Sequence, residues 1–185
     1  MRLAILGNSG SGKSTLARWV SANANAPCLD LDMVAWEPGE LAVPRDAAAA
    51  RADVVTFCGS HADWVVEGCY ASLIAAALPF GPRLLLLNPG EGACLDNCRA
   101  RPWEPHKYAT REEQDERLAF LLAWVTGYYT RDGDISLAEH KALFEAFAGP
   151  KVELLRLPGL DPPSPQLLEW AELMPTASCG RARSS

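Results

Sequence analysis

The chain has 185 residues, 49% of them apolar and 22% charged, with a net charge of -6. These values fit one soluble globular domain with a full core, and the negative balance argues against nucleic acid as a partner, which needs a basic footprint. No run of about 18 apolar residues appears and the apolar run after Arg2 is too brief for a secretory leader, so a cytoplasmic protein with no membrane partner is expected.

Residues 2–6, "RLAIL", read as a short buried strand and 13–23 as a helix, with Leu16, Trp19, Val20 and Asn23 on one face. A second strand over 27–31 ends in Asp30-Leu31-Asp32, and 37–44 carry Pro38, Gly39 and Pro44, a loop. An Ala-rich helix is expected over 45–61, then a strand "WVVEG" over 64–68 and a short helix over 72–78 before Pro79. "RLLLLN", 83–88, is apolar throughout, as a central parallel strand should be.

A helix over 93–101 follows. Thr110 and Glu113 form a capping box for one long helix with the stripe Leu118, Leu121, Leu122, Val125 and Tyr129, and Trp124 is placed in the core at its edge. Ser136 and Glu139 repeat the box for a helix ending at Gly149-Pro150, where Phe144 and Phe147 read as core. "KVELLRL" is a last strand and 163–173 a last helix. Strand and helix alternate throughout, which predicts an α/β fold: a parallel sheet with helices on both faces and ligand sites at the carboxyl ends of the strands. One unit over 1–175 is expected, with a disordered tail over 176–185.

Six cysteines are scattered, with no CxxC pair and no His at zinc-finger distance. They read as small apolar residues, with no disulfide and no structural metal.

The chemistry starts at "GNSGSGKST", Gly7, Asn8, Ser9, Gly10, Ser11, Gly12, Lys13, Ser14 and Thr15, which fits GxxxxGK[ST] between a strand and a helix. Backbone N–H groups turned inward around phosphate oxygens need glycine dihedrals, and the helix starting near Lys13 aims its positive end at the same anion. Lys13 reaches the β- and γ-phosphates of a nucleotide, and Ser14 ligates Mg²⁺. A dinucleotide GxGxxG reading fails, because the chain after Gly10-Ser11-Gly12 has Thr15 where that pattern needs glycine.

Strand alternation would point Asp30 and Asp32 to one side, beside the loop. Asp32 is the candidate to orient or deprotonate an attacking hydroxyl or to hold Mg²⁺ through water; for Asp30, capping of the next segment is an equal alternative. A motor ATPase wants an apolar strand ending in Asp-Glu, whereas the best strand ends in Asn88-Pro89 and "WVVEG" offers only Glu67. The LSGGQ and NKxD segments of transporters and GTPase switches are absent, which favours a small phosphotransferase. Trp36 and Tyr70 follow strand ends near the acceptor, as stacking residues or, on the plainer reading, as packing residues.

The loop, "DLD" after strand two, "EG" after strand three and "RARP" after strand four resemble the small nucleoside-monophosphate-kinase and shikimate-kinase group of P-loop kinases. "LDLDMVAWEPG" and "WVVEGCYAS" are similar to a bacterial adenylate-kinase-like branch, often labelled DNA-topology-modulation-related or AAA-type ATPase. The resemblance implies a three-layer P-loop NTPase fold with a five-stranded parallel sheet of order 2-3-1-4-5. It also implies a lid after strand four, matched in position by residues 99–117, in which Arg101 closes over the transferring group. ATP and Mg²⁺ are the implied cofactors, and a nucleotide with an unidentified small-molecule acceptor the implied partners. A nucleotide-dependent regulatory ATPase without a small acceptor is the alternative. Between residues 33 and 63 the cations are Arg45 and Arg51, expected on nearly opposite faces of the helix there.

Overall fold

The computed structural model describes residues 1–37, 43–103 and 109–170. Five parallel strands, β1 (Arg2–Gly7), β2 (Cys28–Asp30), β3 (Trp64–Gly68), β4 (Arg83–Leu87) and β5 (Lys151–Leu154), form one sheet in the order β2-β3-β1-β4-β5. This is the order the family resemblance implies. The expected boundary at 175, the tail over 176–185 and part of the last helix lie outside the described residues, as do His106, Lys107 and Tyr108 of the expected lid.

The strands are apolar on both faces because both faces are covered. Leu84 and Leu86 enter one core with Ala4, Leu6, Trp64 and Val66, beneath α3 (Ala47–Ser60) and α4 (Ala71–Ala77). Leu85 and Leu87 enter the other with Leu3, Ile5 and Val65, against α1 (Lys13–Ala24), through Leu16, Ala17 and Val20, and α9 (Pro165–Trp170), through Leu167. Burying each such leucine stabilises the fold by roughly 2 kcal/mol. The period of two therefore divides one hydrophobic run between two layers, and the strand ends at the β1 side meet the phosphate loop.

Three expectations of local structure change. The chain after β2 does not stay extended: it turns into α2 (Asp32–Ala35), so strand alternation does not place Asp32. The single long helix is two, α6 (Arg111–Glu116) and α7 (Leu118–Gly127), meeting at Arg117. Trp124 is not core; it is 37% exposed, with its ring stacked with Phe120 and the Arg131 guanidinium 3.7 Å from the ring centroid. The i,i+4 spacing of Phe120 and Trp124 makes that stripe on the solvent side of α7. Both capping hydroxyls act as expected: Thr110 Oγ1 accepts from the Glu113 amide and Ser136 Oγ from the Glu139 amide at the start of α8 (Leu137–Ala146), each at 3.1 Å. Phe144 and Phe147 pack against the first core, as expected.

Candidate functional site

The phosphate loop leaves β1 at Gly7 and enters α1 at Gly12. Gly10 and Gly12 have φ of 76° and 95°, in the left-handed region. Gly10 is also forced by space: a Cβ there would stand 2.3 Å from the Cys94 carbonyl oxygen and 2.7 Å from Cys98 Sγ. Those two cysteines share the buried face of α5 (Glu91–Arg99), so they act as packing residues directly under the loop. From the same helix Asn97 Nδ2 donates to the Gly10 carbonyl at 2.8 Å. Asn8 anchors the other side, its buried side chain donating to the Val125 carbonyl of α7 at 3.0 Å.

A cleft of about 520 Å³ opens over the loop, within the size range of small-molecule sites. Ser9, Gly10, Gly12, Lys13, Ser14 and Thr15 line it, and Asp32 and Arg101 line the same cleft. Gly7, Asn8 and Ser11 lie beneath: Asn8 and Ser11 are buried, and a Cβ on Gly7 would stand 2.5 Å from the Leu87 carbonyl oxygen. Trp103 and Leu157 also border the cleft.

Sequence reasoning passed over one acidic residue at this site. Glu67, the fourth residue of β3, is 2% exposed, and its Oε2 stands 3.9 Å from Lys13 Nζ with no hydrogen-bond partner. The nearby Ser14 side chain favours its ionised form. Burial pushes the Glu67 carboxyl above its ordinary range, against the pull of Lys13. Burial opposes the Lys13 charge as well, but Glu67, then Cys69, Asp32 and Asp30, outweigh it and hold the ammonium above its usual value. A buried carboxylate with an orphaned oxygen beside a serine hydroxyl at a helix N-terminus is an oxygen donor set of the kind a hard divalent cation takes. The signal was in "WVVEG": β3 pairs directly with β1, with Glu67 beside Ile5 in register, which carries that acid to the loop.

Asp30 and Asp32 part company. Asp30 Oδ1 accepts from the Asp32 amide at 2.9 Å, so Asp30 caps the turn into α2. Asp32 Oδ1 accepts from the Tyr70 hydroxyl at 2.7 Å, and that hydroxyl in turn accepts from Trp36 Nε1 at 2.7 Å. The rings of Trp36 and Tyr70 meet edge to face, with centroids 6.4 Å apart. Neither of the two cations between residues 33 and 63 offers a second anion site beside Asp32. Arg45 precedes α3, where it pairs with Asp53 at 2.7 Å and donates to the Val34 carbonyl, and Arg51 faces outward with Ala47, Ala48, Ala52 and Val55.

On the far side of the cleft Arg101 follows α5 and Gln114 Nε2 of α6 donates to the Pro102 carbonyl at 3.1 Å. Arg99 pairs with Asp96 at 2.9 Å and Arg111 with Asp115 at 3.5 Å, each within one helix face.

No protein-family model matches the chain, and no curated protein matches it in sequence. Solved structures match its fold. A gluconokinase from Sinorhizobium meliloti aligns with a TM-score of 0.52 at 14% identity, over 92% of this chain and 91% of its own. A sugar kinase from a Janibacter species aligns at 0.53 and 16%, over 94% and 95%. A shikimate kinase from Bacteroides thetaiotaomicron aligns at 0.51 and 20%, over 94% and 99%. The likeness at these identities is one of architecture, and with the strand order and the loop it shows the three-layer P-loop fold for this chain.

Proposed function

We propose that this protein is a P-loop kinase that transfers the γ-phosphoryl group of ATP, with Mg²⁺, to a hydroxyl of a small acceptor. The observation that carries the reading is the shared cleft: Lys13 and Ser14, Asp32, and Arg101, from three separate parts of the chain, line one opening above the loop. The loop amides and Lys13 hold the phosphates, and Ser14 with Glu67 and Asp32 supplies oxygen donors for Mg²⁺. Mg²⁺ when bound would neutralise phosphate charge at the transferring group. Asp32 orients the attacking hydroxyl, and Arg101 counters charge on the transferring oxygens.

Solved kinases named for gluconate, sugar and shikimate share the fold, which supports phosphoryl transfer to a small hydroxyl compound as the class of reaction. The narrower likeness to the adenylate-kinase-like branch rests on the quoted sequence stretches alone.

The test is a screen of ATP consumption over nucleosides, nucleotides, sugars and hydroxy acids, with Lys13→Ala as the control. Stimulation by one compound class, lost in Lys13→Ala while the circular dichroism spectrum is kept, supports the kinase. Slow ATP loss that no compound stimulates favours the regulatory ATPase, and equal turnover in Lys13→Ala rejects the phosphate-loop chemistry.

A further inference from the structure

Tyr70 is an expensive residue for its place. It is 8% exposed and packs in the first core with Leu31, Val34 and Leu73, where phenylalanine would fill the same space without a hydroxyl to satisfy. The hydroxyl is fully used, and its direction is fixed by elimination. Trp36 Nε1 can only donate, so the Tyr70 oxygen accepts from it and the single phenolic proton is left for Asp32 Oδ1.

The backbone beneath Tyr70 is held from outside its own element. His140 Nε2 of α8 bonds the Cys69 carbonyl at 2.9 Å. Asp134 accepts from the Ser72 amide at 2.6 Å and from the Ser72 hydroxyl at 3.0 Å. The ring is therefore clamped by its backbone on one side and by Trp36 on the other, while the carboxylate it grips borders the cleft.

We propose that Tyr70 is a positioning residue for phosphoryl transfer, holding the Asp32 carboxylate in the orientation that meets the attacking hydroxyl, with Trp36 fixing the Tyr70 proton toward Asp32. The inference rests on the kinase reading above and on the role of Asp32 in it. A charge-assisted hydrogen bond from a buried phenol removes rotational freedom from a carboxylate on a four-residue helix, which is where orientation is most easily lost.

The test is a double-mutant cycle on ATP turnover, with water or an identified stimulating compound as acceptor, in the full chain. Asp32→Asn is expected to lower kcat on the order of 100-fold and Tyr70→Phe about 10-fold, with KM for ATP and the affinity for ADP nearly unchanged. Trp36→Phe should lower kcat less than Tyr70→Phe does. In the Asp32→Asn background, Tyr70→Phe should have less than about a two-fold further effect, because its action runs through the missing carboxylate. Additive losses, or full activity in Tyr70→Phe, overturn the positioning role. An unaffected Asp32→Asn rejects the role of Asp32 in the kinase reading instead, and wild-type turnover no higher than that of Lys13→Ala rejects the kinase reading itself. If Tyr70→Phe does not fold, the same cycle with Trp36→Phe decides.

Discussion

His140 Nε2 lies 2.9 Å from the Cys69 carbonyl oxygen, joining α8 to the turn that carries Tyr70. A carbonyl only accepts, so Nε2 carries the proton and Nδ1 accepts from the Tyr128 hydroxyl at 2.8 Å. The ring is neutral, fully buried and satisfied at both nitrogens. Ser136, whose hydroxyl caps α8 one turn earlier, is buried with it.

That arrangement makes acid the weak point of the fold. Burial pushes His140 down to about 4, although the bond to Cys69 and the charge of Asp134 pull the other way. Between pH 6.5 and 4 the unfolded chain takes up a proton that the folded chain refuses, so stability falls as pH falls through that window. The loss attributable to His140 is about 2 kcal/mol at pH 5 relative to pH 8. Urea unfolding of wild type and His140→Asn at both values checks it. The variant is less stable at pH 8, and the gap between the two proteins should narrow by that amount at pH 5; a constant gap refutes the assignment.

Glu67 should govern the response to Mg²⁺ and not the grip on phosphate. On the proposed reading its orphaned buried oxygen, close to Ser14, would hold a hard cation, while the loop amides would bind phosphate independently. Glu67→Gln is expected to raise the Mg²⁺ concentration for half-maximal ATP turnover by about 10- to 100-fold. Affinity for ADP measured in excess chelator should change little. A parallel loss of ADP affinity without metal would show that Glu67 acts only by holding Lys13.

Gly10 and Gly81 both have positive φ, 76° and 69°, but only one is crowded. Nothing lies within 4 Å of a Cβ at Gly81, so Gly81→Ala carries conformational strain alone, about 1 kcal/mol. Gly10→Ala must also displace the Cys94 carbonyl, 2.3 Å away, and is expected to cost more than about 3 kcal/mol. Thermal unfolding should separate the two variants, and a thermal shift with ATP and Mg²⁺ should survive in Gly81→Ala and vanish in Gly10→Ala. Equal behaviour would mean that α5 yields to the new methyl group.

The glycine-rich loop was legible because its pattern is local. Gly7 to Thr15 are consecutive, and each requirement, from glycine dihedrals to a lysine and a hydroxyl at the helix start, is met by neighbours in the chain. The alternation of strands and helices was legible for the same reason, since burial on two faces leaves uninterrupted runs such as Leu84 to Leu87. The strand order came through resemblance, and the sheet bears it out.

What chain order could not reveal is which distant groups share a contact. Trp124 sits at the edge of the apolar stripe yet faces solvent, because the face that α7 turns inward is the narrow one of Leu121, Leu122 and Val125 against Cys94 and Cys98. Asp30 and Asp32 are two residues apart, and periodicity treats them alike. A helical turn after β2 makes one a cap and sends the other to Tyr70, 38 residues away. Glu67 gains its meaning only when β3 pairs beside β1 and brings it to Lys13 and Ser14. By itself, then, the sequence determined the phosphate loop and the layered α/β class, because backbone dihedrals, helix starts and hydrophobic periods are short-range properties. The tertiary structure alone decided which carboxylate faces which partner, because hydrogen bonds and buried charges depend on distance in space, and strand pairing sets that distance.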